Sequence, residues 1–209
     1  MAALRQQIQI LALCLCAAAL CACASTRIVT SWHDPEASKM GFKKVLVVGI
    51  VRDTDRRRGV EARMVQDIEK RGVKAVPSFK LITAADTRNE ATLKAAMQDG
   101  GFDGAVVWRT VSVKSESHFV AGGRPTLLMN PGFWGYYNMG WTVEADPATI
   151  TTDHVVSVET TVYRVTHDSD QLVWTGTSET MDPASLDKLV DGVVDASFSS
   201  MRLDGLFGG

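Results

Sequence analysis

The apolar positions in the first half of the chain form an ordered series of strand-like and helix-like segments. Three runs rich in β-branched residues predict strands, at 43–51, 73–81 and 105–114. The first run is continuously apolar, which is typical of a strand covered on both faces. Pro77 places the second strand at a sheet edge or a bulge. Apolar residues at helical spacing predict a helix over 60–71, after a loop at 53–59. A capping box at 87–90 begins a second helix that ends at Gly100.

The second half of the chain changes to an antiparallel pattern. Two β-rich segments, residues 154–165 and 171–180, are joined by the polar turn 167–170, which predicts a hairpin. Asp182 followed by Pro183 then predicts an N-cap and the first position of a closing helix. The apolar face of this helix consists of Leu186, Leu189, Val190, Val193, Val194 and Phe198.

These elements combine into one fold class. The order strand, helix, strand, helix, strand indicates a sheet with crossover helices, and a short strand at 26–32 precedes it. The sequence therefore predicts a single α/β domain (α+β-like) over residues 43–201. We expect a mixed sheet, crossover helices, an antiparallel C-terminal hairpin and a closing C-terminal helix. Residues 202–209 are expected to form a flexible tail.

Residues 121–150 interrupt this order with an aromatic, glycine-rich insert. The insert keeps neither helical nor strand periodicity for long, so we expect a long loop. Large rings with polar tips suit recognition surfaces, and glycines let flat groups approach closely. The rings could contact a protein partner, stack on sugars, enter a membrane interface, or fold back over one face of the sheet. The candidate contact residues are Phe133, Trp134, Tyr136, Tyr137 and Trp141.

The N-terminus explains why all four cysteines lie within the first 23 residues. Arg5 precedes an apolar run that is short for a spanning helix and has the layout of a secretory signal peptide. Leu20-Cys21-Ala22-Cys23 resembles a bacterial lipobox. The resemblance implies that residues 1–22 are removed and that Cys23 becomes an acylated N-terminus. An ordinary secretory signal and an uncleaved short anchor are the alternatives.

Acylation would decide where the protein resides. Acyl chains such as palmitate on the sulfur and the amino group hold a protein on a membrane without a spanning segment. Ala24, rather than an aspartate, follows Cys23, which resembles lipoproteins sent to the outer membrane of Gram-negative cells. We therefore expect a lipid-anchored protein of the cell outer membrane that faces the periplasm. Residues 23–42 would form its tether and first strand.

Charge and motifs argue against several function classes. The net charge of −2 and the acidic neighbours of the arginines at 56–58 argue against nucleic acid as a partner. None of the four histidines lies at metal-ligand spacing from another: His33, His118, His154 and His167. His33-Asp34 is interpreted as a polar turn rather than an acid/base pair, and no nucleophile elbow is present. The sequence predicts no catalytic residues, no metal and no cofactor.

Short motifs outside residues 115–150 carry a wider resemblance. They are Thr30-Ser31-Trp32, Asp34-Pro35, Lys44-Val45-Leu46-Val47-Val48-Gly49, Arg57-Arg58, Glu61, Gly72-Val73, Ala75-Val76-Pro77-Ser78, Asp103-Gly104-Ala105-Val106-Val107, Glu159-Thr160, Tyr163, Leu172-Val173-Trp174, Thr177, Glu179-Thr180 and Asp182-Pro183. Together they resemble a family of uncharacterised Gram-negative bacterial lipoproteins with a single periplasmic α/β domain. The resemblance implies a fold and a membrane-anchored location, and no catalytic residues to transfer.

These observations lead to one main functional expectation. The sequence predicts a non-enzymatic, membrane-anchored lipoprotein that acts as a binding or assembly module in the cell envelope. Its expected partners are the membrane, through the acyl chains on Cys23, and an envelope protein. A glycan or lipid ligand is the alternative. An envelope hydrolase is the weaker one, and it would use dispersed groups near the aromatic insert: His118, Glu144 and Asp146.

Overall fold

The computed structural model describes residues 26–83, 89–115, 132–140, 154–166 and 169–207. The strands in this part of the chain are β1 Thr26–His33, β2 Lys44–Ile50, β3 Lys74–Pro77, β4 Gly104–Ser115, β5 His154–Val165 and β6 Asp170–Met181. The helices are α1 Thr54–Glu69, α2 Glu90–Asp99, α3 Gly132–Gly140 and α4 Leu186–Leu203. None of these helices combines the length and the apolar character needed to cross a membrane.

All six strands join one mixed sheet in the order β1-β6-β5-β4-β2-β3. The strands β4, β2 and β3 are parallel, because helices cross over between them, whereas β1, β6, β5 and β4 are antiparallel neighbours. This arrangement confirms the predicted fold class, with its crossover helices, C-terminal hairpin and closing helix. Pro77 ends the edge strand β3, where its missing N–H removes no central ladder bond.

Helices cover both faces of the sheet. Alternate residues of β2 enter two separate cores, with Val45 and Val47 on one side and Leu46 and Val48 on the other. The first core is completed by α1 and α4, and the second by α2 and α3. This double coverage is why β2 is apolar at nearly every position.

The helix α1 begins earlier than its apolar pattern predicts. The expected loop at 53–59 is wrong, because Asp53 acts as N-cap and its side chain accepts a hydrogen bond from the Arg56 N–H at 2.8 Å. The inward-facing residue of the first turn is Arg57, which is buried one turn before Glu61. A search for apolar residues misses this turn because the buried position is charged.

Both ends of α4 also differ from expectation. Ser185, not Asp182, is the N-cap, and its side chain accepts a hydrogen bond from the Lys188 N–H at 3.2 Å. At the other end Gly205, with φ of +83°, reverses the chain so that the Leu206 N–H bonds to the Met201 carbonyl at 2.8 Å.

The C-terminal residues that follow α4 belong to the core. Leu206 is buried, and the ring of Phe207 packs against Phe42 and Phe198. The expectation of a flexible tail from residue 202 is therefore wrong up to Phe207. Short chain termini are usually poorly ordered, and the local sequence of glycine and two large apolar residues does not indicate otherwise. Only contacts with residues distant in sequence hold this segment in the core.

Candidate functional site

The described part of the aromatic insert is a helix rather than a loop. In α3 the rings of Phe133, Tyr136 and Tyr137 recur at helical spacing and are fully buried against the second core, where Tyr163 contacts two of them. These three rings cover one face of the sheet and are not available to a partner. Among the described candidates, Trp134 is the one that reaches the surface, where it is half-buried.

Asp170 at the start of β6 holds the N-terminus of α3. Its Oδ2 accepts a hydrogen bond from the Trp134 N–H at 3.2 Å, so a carboxylate from a distant strand caps the helix. Gly132 has φ of +70°, and a side chain added there would collide with the Asp170 carboxylate. Glycine is therefore needed at the start of this helix for two reasons: it adopts a positive φ readily, and it has no side chain to collide with Asp170.

A polar contact with α2 holds the outer side of α3. Glu90 accepts hydrogen bonds from Asn138 Nδ2 at 2.5 Å and from Lys94 Nζ at 2.8 Å. These bonds lower the pKa of the Glu90 carboxyl below its usual value. The Lys94 ammonium also lies 4.7 Å from the centre of the Trp134 ring, a cation–π contact. Trp134 is thus oriented by α2 while part of its surface stays open.

A cavity of about 360 Å³ opens beside Trp134, between α2, α3 and the β5–β6 turn. Its apolar wall consists of Met97, Phe102, Trp134 and Val165, and its polar lining consists of Lys94, Gln98, Thr166, Ser169 and Asp170. The volume lies at the lower end of the range for small-ligand sites, which suits one sugar ring or one large side chain. One cation and one anion line it, so the lining carries no net formal charge.

A buried charged cluster joins α3 to the centre of the sheet. Glu159 Oε2 accepts hydrogen bonds from Tyr136 OH at 2.6 Å and from Arg109 Nη2 at 2.7 Å, and Arg109 Nε lies 2.9 Å from the same oxygen. Arg109 and Glu159 are direct cross-strand partners in β4 and β5. Burial, together with the Glu159 charge, raises the pKa of Tyr136 well above its usual value. The three side chains hydrogen-bond to one another, so we describe the cluster as a structural clamp that holds α3 on the sheet.

The pKa of Arg109 reflects the same interactions with Glu159 and Tyr136. Burial alone lowers the pKa of its guanidinium, but the neighbouring Tyr136 and Glu159 outweigh burial, so the pKa is raised on balance. A protonated arginine in hydrogen-bond contact with a carboxylate keeps both charges compensated away from water. The geometry therefore gives Glu159 hydrogen-bond donors from Arg109 and Tyr136 that are already in place.

A second buried carboxylate, Glu61, joins α1 to the ends of β2 and β3. Its Oε1 accepts hydrogen bonds from the Gly49 N–H at 3.0 Å and from Ser78 Oγ at 2.6 Å, and its Oε2 accepts one from the Phe79 N–H at 3.1 Å. Burial raises the pKa of Glu61, although these hydrogen bonds act in the opposite direction. Although Glu61 follows the arginines at 56–58 closely in the sequence, it is fully buried.

The remaining predicted groups do not assemble a reactive centre in the described part of the chain. His33 Nδ1 lies 3.4 Å from Asp204 Oδ1, while Asp34 accepts hydrogen bonds from the Glu36 N–H and from Gln171 Nε2. The described ranges contain no group of three or more residues arranged to hold a metal. Cys23, the predicted lipid-attachment residue, and the ring of Trp141 lie outside the described residues, as do His118, Glu144 and Asp146.

No protein-family model and no curated protein sequence matches the chain. Among solved structures, the chain is similar to a dodecamer of a PelC variant from Paraburkholderia phytofirmans, at 10% identity, over 88% of this chain and 99% of that chain, with a TM-score of 0.44. A second PelC dodecamer from the same organism gives 11% identity, the same coverage and a TM-score of 0.42. Similarity of this extent assigns neither a family nor a function.

Sequence reasoning identified Trp134 but missed the other walls of the cavity. Met97 and Gln98 lie on α2, and Thr166 and Ser169 flank the hairpin turn. No local pattern marks such residues, because they come from several elements and each is an ordinary residue type for its position. The available signal was the polar turn of the predicted hairpin, which lies next to the start of β6.

Proposed function

We propose that this protein is a lipid-anchored binding module of the cell envelope, attached through acylated Cys23 and contacting its partner with the cavity beside Trp134. The observation that carries the proposal is the half-buried indole of Trp134, part of whose surface stays open. Lys94 and Asp170 orient it at a cavity of about 360 Å³. An oriented, partly exposed tryptophan beside an open cavity is typical of a recognition anchor.

The buried carboxylates support a binding role over a catalytic one. Glu159 and Glu61 are nearly or fully inaccessible, and protein donors already satisfy them. A general acid or base must reach the substrate proton directly or through one water molecule. These two groups therefore act in the fold, and Asp170 in the cavity acts as the cap of α3.

The proposal predicts a position-specific crosslink. A photoreactive residue at position 134 of the membrane-bound protein should capture one envelope partner, because this side chain lines the cavity. The matched control is position 203, where Leu203 is 86% exposed on α4 at the other face of the sheet. Crosslinked adducts would be compared by mass spectrometry. The same adducts from both positions, or none from position 134, would contradict the proposal.

A glycan is the second candidate ligand, and the lining of the cavity favours it specifically. An indole wall offers an apolar face for a sugar ring, while Gln98, Thr166 and Ser169 offer hydrogen-bonding groups at the rim. Addition of soluble neutral peptidoglycan fragments should then shift the NMR signals of residues around the cavity. The shifts should be lost in Trp134→Ala and kept in Leu203→Ala. Shifts that persist in Trp134→Ala would exclude the cavity as the glycan site.

A further inference from the structure

The folded domain begins very close to the proposed lipid anchor. Thr26 is already paired with Thr180 in the β1–β6 ladder, and the two hydroxyl oxygens lie 2.8 Å apart. Thr26 also packs against Gly192 of α4, where an added side chain would collide with it. The first residue of β1 is thus held by a strand on one side and by a helix on another.

Only Ala24 and Ser25 separate Cys23 from Thr26 in the sequence. A chain of three residues spans at most about 11 Å when fully extended. This covalent limit does not depend on the conformation of the linking residues. An acylated Cys23 lies in the headgroup region, so Thr26 must lie within about 11 Å of it.

We propose that the end of the domain formed by Thr26, Met181 and the turn 182–185 rests on the phospholipid surface that holds the anchor. This inference depends on the proposed acylation of Cys23 and adds an orientation to it. Met181 ends β6 beside Thr26, because Thr26 pairs with the preceding residue, Thr180. The membrane contact is therefore made by a defined end of the sheet.

The side chains at this end suit a lipid surface without net charge. Met181 is 43% exposed, and it is one of three exposed large apolar residues among those described. Arg27 is exposed and pairs with Glu179, while Asp182, Asp187 and Lys188 are also exposed there. Two cations stand against three anions at this end, so the contact depends on the short covalent link and on Met181 rather than on attraction to anionic lipid. We expect it on zwitterionic phosphatidylcholine.

The same geometry directs the cavity away from the membrane. The strand β6 has 12 residues and runs from Asp170, which lines the cavity, to Met181. A strand of that length spans about 35 Å at roughly 3.3 Å per residue. The cavity and the membrane contact therefore lie at opposite ends of β6. The cavity is presented to material beyond the headgroups, which disfavours a headgroup of the anchoring membrane as its occupant.

Site-specific labelling tests this orientation. All four native cysteines lie at or before residue 23, so the acylated mature chain contains no free thiol. A fluorophore on Met181→Cys and a matched one on Ser169→Cys, an exposed residue beside the cavity, would be compared in phosphatidylcholine vesicles that contain quencher lipids. We expect several-fold stronger quenching at position 181. Equal quenching, or stronger quenching at position 169, would overturn the inferred orientation.

Two further measurements separate this inference from the proposed function. The mass of the mature N-terminus reports acylation: a chain without lipid mass would overturn both the anchor and the orientation. Intact lipid mass with equal quenching would overturn the orientation alone. Insertion of a flexible ten-residue Gly/Ser segment between Ala24 and Ser25 should reduce quenching at position 181 while vesicle binding is kept. Unchanged quenching would show that the short link does not set the orientation.

Discussion

Glu159→Ala should lower the free energy of unfolding by about 3–5 kcal/mol, the loss typical when one partner of a buried charged pair is removed. Glu159 Oε2 is the acceptor for both Arg109 and Tyr136. Without it, the guanidinium of Arg109 remains in the core with no carboxylate, and the Tyr136 hydroxyl loses its acceptor. The deleted side chain also leaves space beneath α3.

Glu179→Ala is the matched control for this experiment. Glu179 lies on the neighbouring strand β6, and its partner is Arg27, whose side chain is 68% exposed. Exposed ion pairs contribute about 0–1 kcal/mol, so this variant should unfold close to the wild-type protein. Equilibrium unfolding in urea measures both changes. Similar losses in the two variants would show that the Arg109–Glu159–Tyr136 cluster is not a structural clamp.

The effect of Glu159→Ala should extend to the cavity. Tyr136 and Trp134 belong to the same helix, and the hydroxyl of Tyr136 attaches that helix to β5 through Glu159. Loosening this attachment frees Trp134 from the position set by Lys94 and Asp170. A variant that remains folded should therefore also lose crosslinking from position 134, which connects the buried charges to the proposed binding surface.

The fold was predictable because most of its signals are local. Doubly covered strands such as β2 are continuously apolar. The hairpin of β5 and β6 consists of two β-rich runs separated by a polar turn. These patterns follow from pleat and burial, which act on neighbouring residues. The order of the elements then limits the sheet to a mixed arrangement, as the structure confirms.

The helix α3 was missed because its stability comes from outside the segment. Gly132, Gly135 and Gly140 lower the intrinsic helix propensity of these nine residues, which would be too short to form a helix alone in water. The cap from Asp170 and the burial of three rings against the sheet supply what the local sequence lacks. Such contacts depend on register, which a single sequence does not reveal.

The buried charges were misjudged for a related reason. The hairpin pattern alone leaves open which residue of which neighbouring strand lies opposite Glu159. In the register of the sheet, Glu159 lies opposite Thr177 on β6 and opposite Arg109 on β4. The pairing with β4 crosses the aromatic insert, so it joins residues that are far apart in sequence. Composition alone favours a solvated position for such a carboxylate, since unpaired charged residues are rarely buried.

Glu61→Gln should lower the free energy of unfolding by about 1–3 kcal/mol, the usual cost of leaving a buried hydrogen-bonding group unsatisfied. Both carboxylate oxygens of Glu61 act as acceptors, toward Gly49 and Ser78 on one side and toward Phe79 on the other. A glutamine keeps one acceptor oxygen and places an NH₂ group against an N–H donor. Glu69→Gln, at the exposed end of the same helix, is the control and should change stability little.

The loss from Glu61→Gln should also depend on pH with a definite sign. Burial raises the pKa of Glu61 in the folded protein above its ordinary value. The folded state therefore binds this proton more tightly than the unfolded state. The stability that protonated Glu61 contributes is complete below its unfolded pKa and is lost as the pH rises through its folded pKa.

Glutamine does not titrate, so the stability difference between the wild type and Glu61→Gln should be largest in acid and should shrink with rising pH. Urea unfolding at a series of pH values measures this difference, and a gap that stays constant or widens toward neutral pH would show that burial does not dominate the environment of Glu61.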